Sequence, residues 1–171
     1  MNNLKMRTAT VNDAEIIWEI LQQAIERRRL DGSDQWQDGY PNPERVALDI
    51  EKRQGYVLTL NKKVVAYCAL IFNDEPAYSA IKGQWLTNES FLVIHRVAVS
   101  ASAVGKGMAT KLFEMAETFA MSNGVYSIKV DTNFDNAAML HILNKLGYTY
   151  CGEVVFRGSA RKAFEKVLKE N

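Results

Sequence analysis

Between Phe91 and Gly124 the chain reads as a strand, a short loop and a long helix, joined by residues that are almost all small. Phe91 to Val99 is a run of strand-forming residues. Ala109, Leu112, Phe113, Ala116, Phe119 and Ala120 then fall on one helical face, which Asn123-Gly124 ends. The junction is Ser100-Ala101-Ser102-Ala103-Val104-Gly105-Lys106-Gly107. A strand that feeds an amphipathic helix needs the two to share a core, so the chain is confined to folds in which helices cover a sheet.

The flanking sequence continues this pattern. Leu4-Lys5-Met6-Arg7 alternates like a short strand, and Thr10 or Asn12 can cap a helix from about Val11 to Leu30. In that helix Ala14, Ile17, Trp18, Leu21 and Ile25 share a face, and Arg27-Arg28-Arg29 complements the dipole at its end. Residues 31–41 have no period and read as a loop, after which Asn42-Pro43 opens a second helix that stops near Gly55. Strands at Tyr56–Leu60 and Val64–Phe72 flank the turn Asn61-Lys62-Lys63, and residues 73–90 read as irregular. After the long helix come a strand at Tyr126–Val130, a helix from about Asp135 to Leu146, and strands near Tyr148–Phe156 and Arg161–Leu168. The order β-α-α-β-β-β-α-β-α-β-β predicts an α/β (α+β) layered fold. Nothing in it reads as a linker, so residues 1–171 are expected to form one domain.

Composition excludes several classes of function. A chain of 171 residues can bury roughly 70% of its unfolded surface, so it needs no disulfide or metal to build a core. Cys68 and Cys151 lie in separate apolar runs, and the two histidines are too few for a His-rich metal site; no metal is expected. Lys plus Arg number 21 against 20 acids, a balance that disfavours nucleic acid or an anionic membrane as partner. No run reaches 18 apolar residues and the opening MNNLKMRTAT has no signal-like core, so a cytoplasmic protein is expected.

Chemistry concentrates in two segments. At Val104-Gly105-Lys106-Gly107-Met108-Ala109-Thr110 glycines permit close backbone approach, and the first turn of a helix offers N–H groups without internal partners. Together with the helix dipole these favour a phosphate or pyrophosphate, with Lys106 adding charge and Thr110 a hydroxyl, although an ordinary tight turn would use the same glycines. Lys106 is followed by Gly107 rather than Ser or Thr, so this is no nucleotide-triphosphate loop, and two glycines do not make a dinucleotide fingerprint. In the second segment, Asp131-Thr132-Asn133-Phe134-Asp135-Asn136, Asn133 and Asp135 read as helix caps. Asn136, beyond the expected cap, reads as a ligand contact.

Together the two segments resemble the GNAT superfamily of acyl-CoA-dependent N-acetyltransferases. The family pattern Gln/Arg-x-x-Gly-x-Gly/Ala is matched by Val104 to Ala109 except at Val104, and its Asn and Leu-Gly-Phe elements correspond to Asn136 and Leu146-Gly147-Tyr148. The resemblance implies a central mixed, mostly antiparallel sheet flanked by helices on both faces. It also implies acetyl-CoA as cosubstrate, with its pyrophosphate on residues 104–110, its pantetheine paired to the main chain of Val97, Ala98 and Val99, and Asn136 nearby. Many family members carry a Tyr seven residues after the Asn as proton donor to the thiolate; here that position is Leu143.

An amine delivered as ammonium must lose a proton before it attacks, and His95 is a base suited to neutral pH. It shares strand parity with Val93, Val97 and Val99, and some arylalkylamine-acetylating members have a histidine at the corresponding place. A hydrogen-bonded core histidine is the competing reading. Arg96, of opposite parity, is expected to pair with a carboxylate beneath the sheet, and His141 to face solvent. Trp36, Tyr40 and Trp85 are expected to contact the acceptor, with Tyr78 in the same wall and Asp34, Asp38 or Glu89 attracting the amine. Cys68 and Cys151 read as core residues. The expected function is direct transfer of acetyl from acetyl-CoA to a primary amine of a small molecule or peptide, by a monomer or homodimer. The alternative is a non-catalytic acyl-CoA-binding or regulatory domain, in which Val104 and Leu143 mark lost function.

Overall fold

A computed structural model describes residues 2–169. Strands are β1 (Leu4–Thr8), β2 (Gly55–Leu60), β3 (Lys63–Phe72), β4 (Lys82–Gly83), β5 (Leu92–Val99), β6 (Ser127–Thr132), β7 (Thr149–Phe156) and β8 (Ser159–Val167). Helices are α1 (Ala14–Leu30), α2 (Pro43–Glu51), α3 (Met108–Ser122) and α4 (Ala137–Lys145). The strands hydrogen-bond in the order β1-β2-β3-β5-β6-β8-β7-β4. β5 and β6 run parallel, whereas β1–β2, β2–β3, β6–β8, β7–β8 and β4–β7 are antiparallel. This is the expected mixed, mostly antiparallel sheet with its helices, and the expected order of elements with β4 added.

The residues group into two compact units: one runs to Leu70 and includes Arg96–Met115, and the other comprises Ile71–His95 and the chain from Ala116 on. β3, β5 and α3 contribute residues to both.

In the first unit, Thr10 and Asp13 cap a single 3-10 turn, Val11–Asp13, that leads into α1. Ile17, Ile20, Leu21 and Ala24 of α1 pack on Val46, Val57, Val64, Tyr67 and Ala98. Asn42 caps α2 as expected, its side chain accepting the Arg45 N–H at 2.8 Å, with Pro43 in the first helical position. Gly55 starts β2 beneath Tyr67: a side chain there would come within 3.2 Å of the Tyr67 hydroxyl.

In the second unit Ile71, Tyr78, Val93, Val154 and Ala163 form a core on which Trp85 and Phe91 pack. The stretch expected to be irregular, residues 73–90, holds a 3-10 turn at Pro76–Ala80 and the two-residue strand β4. β4 pairs with Gly152 and Glu153 of β7, and the backbones approach so closely that a Cβ on Gly83 would sit 2.1 Å from the Cys151 carbonyl oxygen. The next residues are held by Glu165 of β8. Its fully buried carboxylate accepts from the Leu86 N–H (2.6 Å), the Thr87 hydroxyl (2.8 Å) and the Ser127 hydroxyl (2.7 Å). A buried carboxylate needs several donors to offset its lost hydration, and this one gathers them from the loop and β6.

Candidate active site

In the first unit the end of β5 leads through a 3-10 turn, Ala101–Ala103, to the turn that opens α3. Gly105 (φ +80°) and Gly107 (φ +76°) are both left-handed, a conformation that costs other residues about 1–2 kcal/mol. A Cβ at either would meet no protein atom within 4 Å, so the constraint is on backbone shape, and the space above the turn is open. Val104 to Gly107 are exposed, and Met108, Ala109 and Thr110 are half-buried. The Lys111 N–H reaches back to the Gly107 carbonyl (3.1 Å), so the amides of Met108, Ala109 and Thr110 precede the first full helical bond. Lys106 closes the turn, its ammonium donating to the Ser102 carbonyl at 3.0 Å. A groove of about 650 Å³ lies between Glu19, Gln23 and Arg27 of α1 and the loop residues Ala101 and Val104.

Val97 and Val99 are half-buried and Ala98 is buried. The Ser100 N–H donates to Val65 (2.8 Å), so the Val99 carbonyl of the same trans peptide points the other way. It is met there by the Arg27 guanidinium at 2.6 Å. The three arginines expected to serve the helix dipole therefore have separate partners: Arg27 holds Val99, Arg28 pairs with Asp31, and Arg29 pairs with Glu26.

Arg96 finds the expected carboxylate, that of Asp49 on α2, at 2.7 and 2.9 Å. Asp49 also accepts from Arg45 at 2.8 Å and from the Tyr67 hydroxyl. Arg96 is itself left-handed (φ +55°) in the middle of a strand, a strained conformation that this buried network holds in place. Burial acts to lower the Arg96 pKa, but Asp49 and the neighbouring tyrosines more than offset it and leave the pKa above its ordinary value. Tyr40 joins the network by accepting from Arg96 at 2.7 Å, and Trp36 packs against the core of this unit.

In the second unit His95 is set between two carboxylates. Its Nε2 lies 2.6 Å from Oε2 of Glu75, and its Nδ1 lies 4.0 Å from Oδ1 of Asp131. Glu75 is fixed by its other oxygen, which accepts the Ala77 N–H (3.2 Å) at the start of the 3-10 turn. An ionised carboxylate can only accept, so in its pairing with Glu75 Nε2 is the donor, and Nδ1 is the nitrogen turned toward Asp131. The Tyr78 hydroxyl donates to Asp131 Oδ1 at 2.6 Å, and burial followed by the charge of Asp131 pushes its pKa well above the ordinary value, so it remains a donor. Rings of Tyr78 and Phe156 flank His95 at 6.2 and 5.6 Å.

Trp85 is tied to the same group: its indole N–H donates to the Tyr78 carbonyl (2.9 Å), its ring lies 5.1 Å from that of Tyr78, and Lys129 sits over it at 4.5 Å. Asn136 departs from expectation. It is not beyond the cap but is the cap itself, accepting the Met139 N–H at 3.2 Å, while Asn133 donates to Asp135 at 3.1 Å. Three cap-competent residues stand within four positions, and the helix starts after the last. Leu143 is fully buried, and His141 is exposed. Asp34, Asp38 and Glu89 are exposed; the carboxylates at His95 are Glu75 and Asp131. Asp131 shares the strand-to-helix segment already singled out, whereas Glu75 carried no signal beyond standing before Pro76. Cys68 and Cys151 are buried and free, and burial raises both thiol pKa values. Among the described residues no three His, Cys, Asp or Glu side chains converge as a metal site would, and no helix is long and apolar enough to cross a membrane.

The sequence profile of the acetyltransferase (GNAT) family matches residues 16–148. The chain is 26% identical over 146 residues to an uncharacterized N-acetyltransferase, YesJ, of Bacillus subtilis (strain 168), covering 84% of this chain and 81% of that one. An acetyltransferase of the GNAT family from Streptococcus agalactiae 2603 has the same fold, with a TM-score of 0.89 and 34% identity over 98% of this chain and 96% of that one. The fold is shared also by yncA of Salmonella typhimurium, solved with its cofactor acetyl-CoA, with a TM-score of 0.69 and 21% identity over 99% and 96% of the two chains. The chain belongs to the acetyltransferase (GNAT) family.

Proposed function

We propose that the protein transfers the acetyl group of acetyl-CoA to a primary amine that attacks the thioester directly. The observation that carries this reading is the turn from Val104 to Thr110, where two left-handed glycines leave the start of α3 open to an anion. The Salmonella typhimurium protein of this fold holds acetyl-CoA, which supports the same donor here. Residues 104–110 bind the pyrophosphate, and Val97, Ala98 and Val99 line the pantetheine, although the Val99 carbonyl is already engaged by Arg27. Asn136 is a cofactor contact in the same reading, and it also fixes the start of α4.

His95 is the base. Its Nδ1 takes a proton from the ammonium, the amine nitrogen bonds to the thioester carbon, the C–S bond breaks, and the nitrogen gives its second proton to solvent as the amide forms. The departing thiolate is protonated by solvent, because Leu143 has no proton to give. Trp36, Tyr40 and Trp85 are acceptor contacts in this reading, and Trp85 also braces Tyr78. The setting of His95 between two carboxylates favours an enzyme over a non-catalytic acyl-CoA-binding module, which has no use for such a base. The family profile spans both units, which supports one acetyltransferase domain over residues 1–171. The near-balanced charge supports a small-molecule or peptide acceptor rather than nucleic acid, and the same reading takes the protein as a cytoplasmic monomer or homodimer.

Calorimetry with acetyl-CoA tests the donor. Binding should give heat and raise the melting temperature, because a ligand specific to the native state stabilises it. Gly107→Val should weaken both by blocking the turn. Absence of heat at millimolar acetyl-CoA overturns the reading, as does equal binding by a folded Gly107→Val variant.

A further inference from the structure

We infer that Arg161 binds a carboxylate of the acceptor, so that the amine acetylated here belongs to an amino-acid-like molecule. This rests on the reading of the surroundings of His95 as the acceptor site.

Arg161 stands on β8 opposite Val154, with its side chain only 11% exposed. Its guanidinium lies over the Phe156 ring at 5.5 Å, and its Nε is buried without a hydrogen-bond partner. The nearest opposite charge is Oδ2 of Asp131, 4.0 Å from Nε, beyond hydrogen-bonding distance. Among the described residues no acceptor lies within hydrogen-bonding distance of this Nε. A guanidinium withdrawn from water keeps its full desolvation cost unless acceptors replace the lost hydration. Arg96, by contrast, is buried with its donors matched by Asp49 and Tyr40. Arg161 has the same need, and its Nε has no such match.

The position defines the ligand. Asp131 is shared: His95 approaches its Oδ1 at 4.0 Å and Arg161 its Oδ2 at 4.0 Å, and both pack on Phe156. An ammonium drawn toward Asp131 and Glu75 stands where His95 Nδ1 can take its proton. A planar oxyanion that matches the fork of Arg161 then lies beside it on the same short span. Because both groups reach one carboxylate, the amine and the oxyanion of such an acceptor are only a few bonds apart. An α-amino acid, or one lengthened by a bond or two, has this shape, and a simple alkylamine leaves Arg161 unsatisfied.

The test compares acceptors in sets of three: an amino acid, its carboxamide and its decarboxylated amine, across aliphatic, aromatic and polar side chains. Thiol release from acetyl-CoA is the readout. The wild-type enzyme should favour the free acid over both partners by about a hundredfold or more in kcat/KM, since a site built around a charged hydrogen bond rejects analogues that lack it. Arg161→Gln should bring that ratio close to one, and Arg161→Lys should restore part of it as a point charge without the fork. Equal use of acid, amide and amine by the wild-type enzyme overturns the inference while leaving acetyl transfer intact, as does a preference that survives in Arg161→Gln. Failure of every set despite bound acetyl-CoA overturns both this inference and the reading of the His95 site. The wild-type series decides even if a variant does not fold.

Discussion

Asp49 and Arg96 meet through both carboxylate oxygens, at 2.7 and 2.9 Å, with neither side chain more than 5% exposed. Such a pair is a weak source of net stability while intact, because burial costs both partners their hydration. It is expensive to break, because one partner is then left charged and alone. Asp49→Ala strands Arg96 inside the fold and also removes the partner of Arg45 and Tyr67. A loss of about 3–5 kcal/mol is expected in urea unfolding. Arg96→Met should cost less, since Asp49 keeps Arg45 and the Tyr67 hydroxyl. Equal stability of wild type and Asp49→Ala would show that this network is not what holds the left-handed Arg96 in place.

For His95 the expected signature is a separation of binding from turnover. A positioned base contributes about 10² to 10⁴ in rate, so His95→Ala should lose turnover by that factor while binding acetyl-CoA nearly as wild type. His95→Gln keeps a hydrogen bond to Glu75 but cannot shuttle a proton, and should lose the acidic limb of the pH–rate profile. Near-normal turnover in a folded Gln variant would make His95 a core histidine.

Leu143 occupies the place where many relatives have a proton donor, yet it is wholly buried. Leu143→Ala should therefore act through packing, costing about 2–5 kcal/mol in thermal or urea unfolding. Its effect on turnover should follow the folded fraction. A variant of normal stability and normal acetyl-CoA affinity that had lost turnover would contradict this.

Asp13 gives the protein a defined acid sensitivity. Its hydrogen bond to Arg7 (2.8 Å), helped by the Thr10 N–H and opposed by burial, lowers its pKa to about 2. The unfolded value is about 3.9. With the folded pKa depressed, the contribution to stability is present above about pH 4 and is lost as pH falls toward 2. Arg7 is 45% exposed, so the effect is modest and salt-sensitive. Asp13→Asn retains an oxygen for the Thr10 N–H but not the ion pair. Its deficit against wild type should be visible in urea titrations at pH 7 and should shrink at pH 3. A deficit that stayed constant with pH would assign the stabilisation to the cap alone.

Much of this arrangement is legible in the sequence where a local rule decides it. Asn42-Pro43 states a cap and a first helical residue, and the strand parity of Arg96 places it opposite a carboxylate. Parity does not say which carboxylate, because Asp49 is brought to Arg96 only by the packing of α2. Asn136 stands at the cap rather than beyond it, because Asn133, Asp135 and Asn136 all suit a cap and local chemistry does not rank them. β4 has no periodicity at all: two residues pair with β7 because Gly83 and Gly152 let the backbones touch. Glu75 and Glu165 illustrate the same limit. Each is one acid among 20, and its role appears only when a histidine or a run of backbone amides arrives from a distant part of the chain.

Gly55 and Tyr67 are bound to a common evolutionary fate. The hydroxyl of Tyr67 stands 3.2 Å from where a Cβ at position 55 would be, and its bond to Asp49 keeps the ring from swinging aside. A side chain at 55 requires the tyrosine ring to give by a few tenths of an ångström, against the bond that holds it to Asp49. The two positions should thus drift together, glycine with tyrosine and a larger residue with a smaller or displaced ring, so that the history of one is recorded in the other.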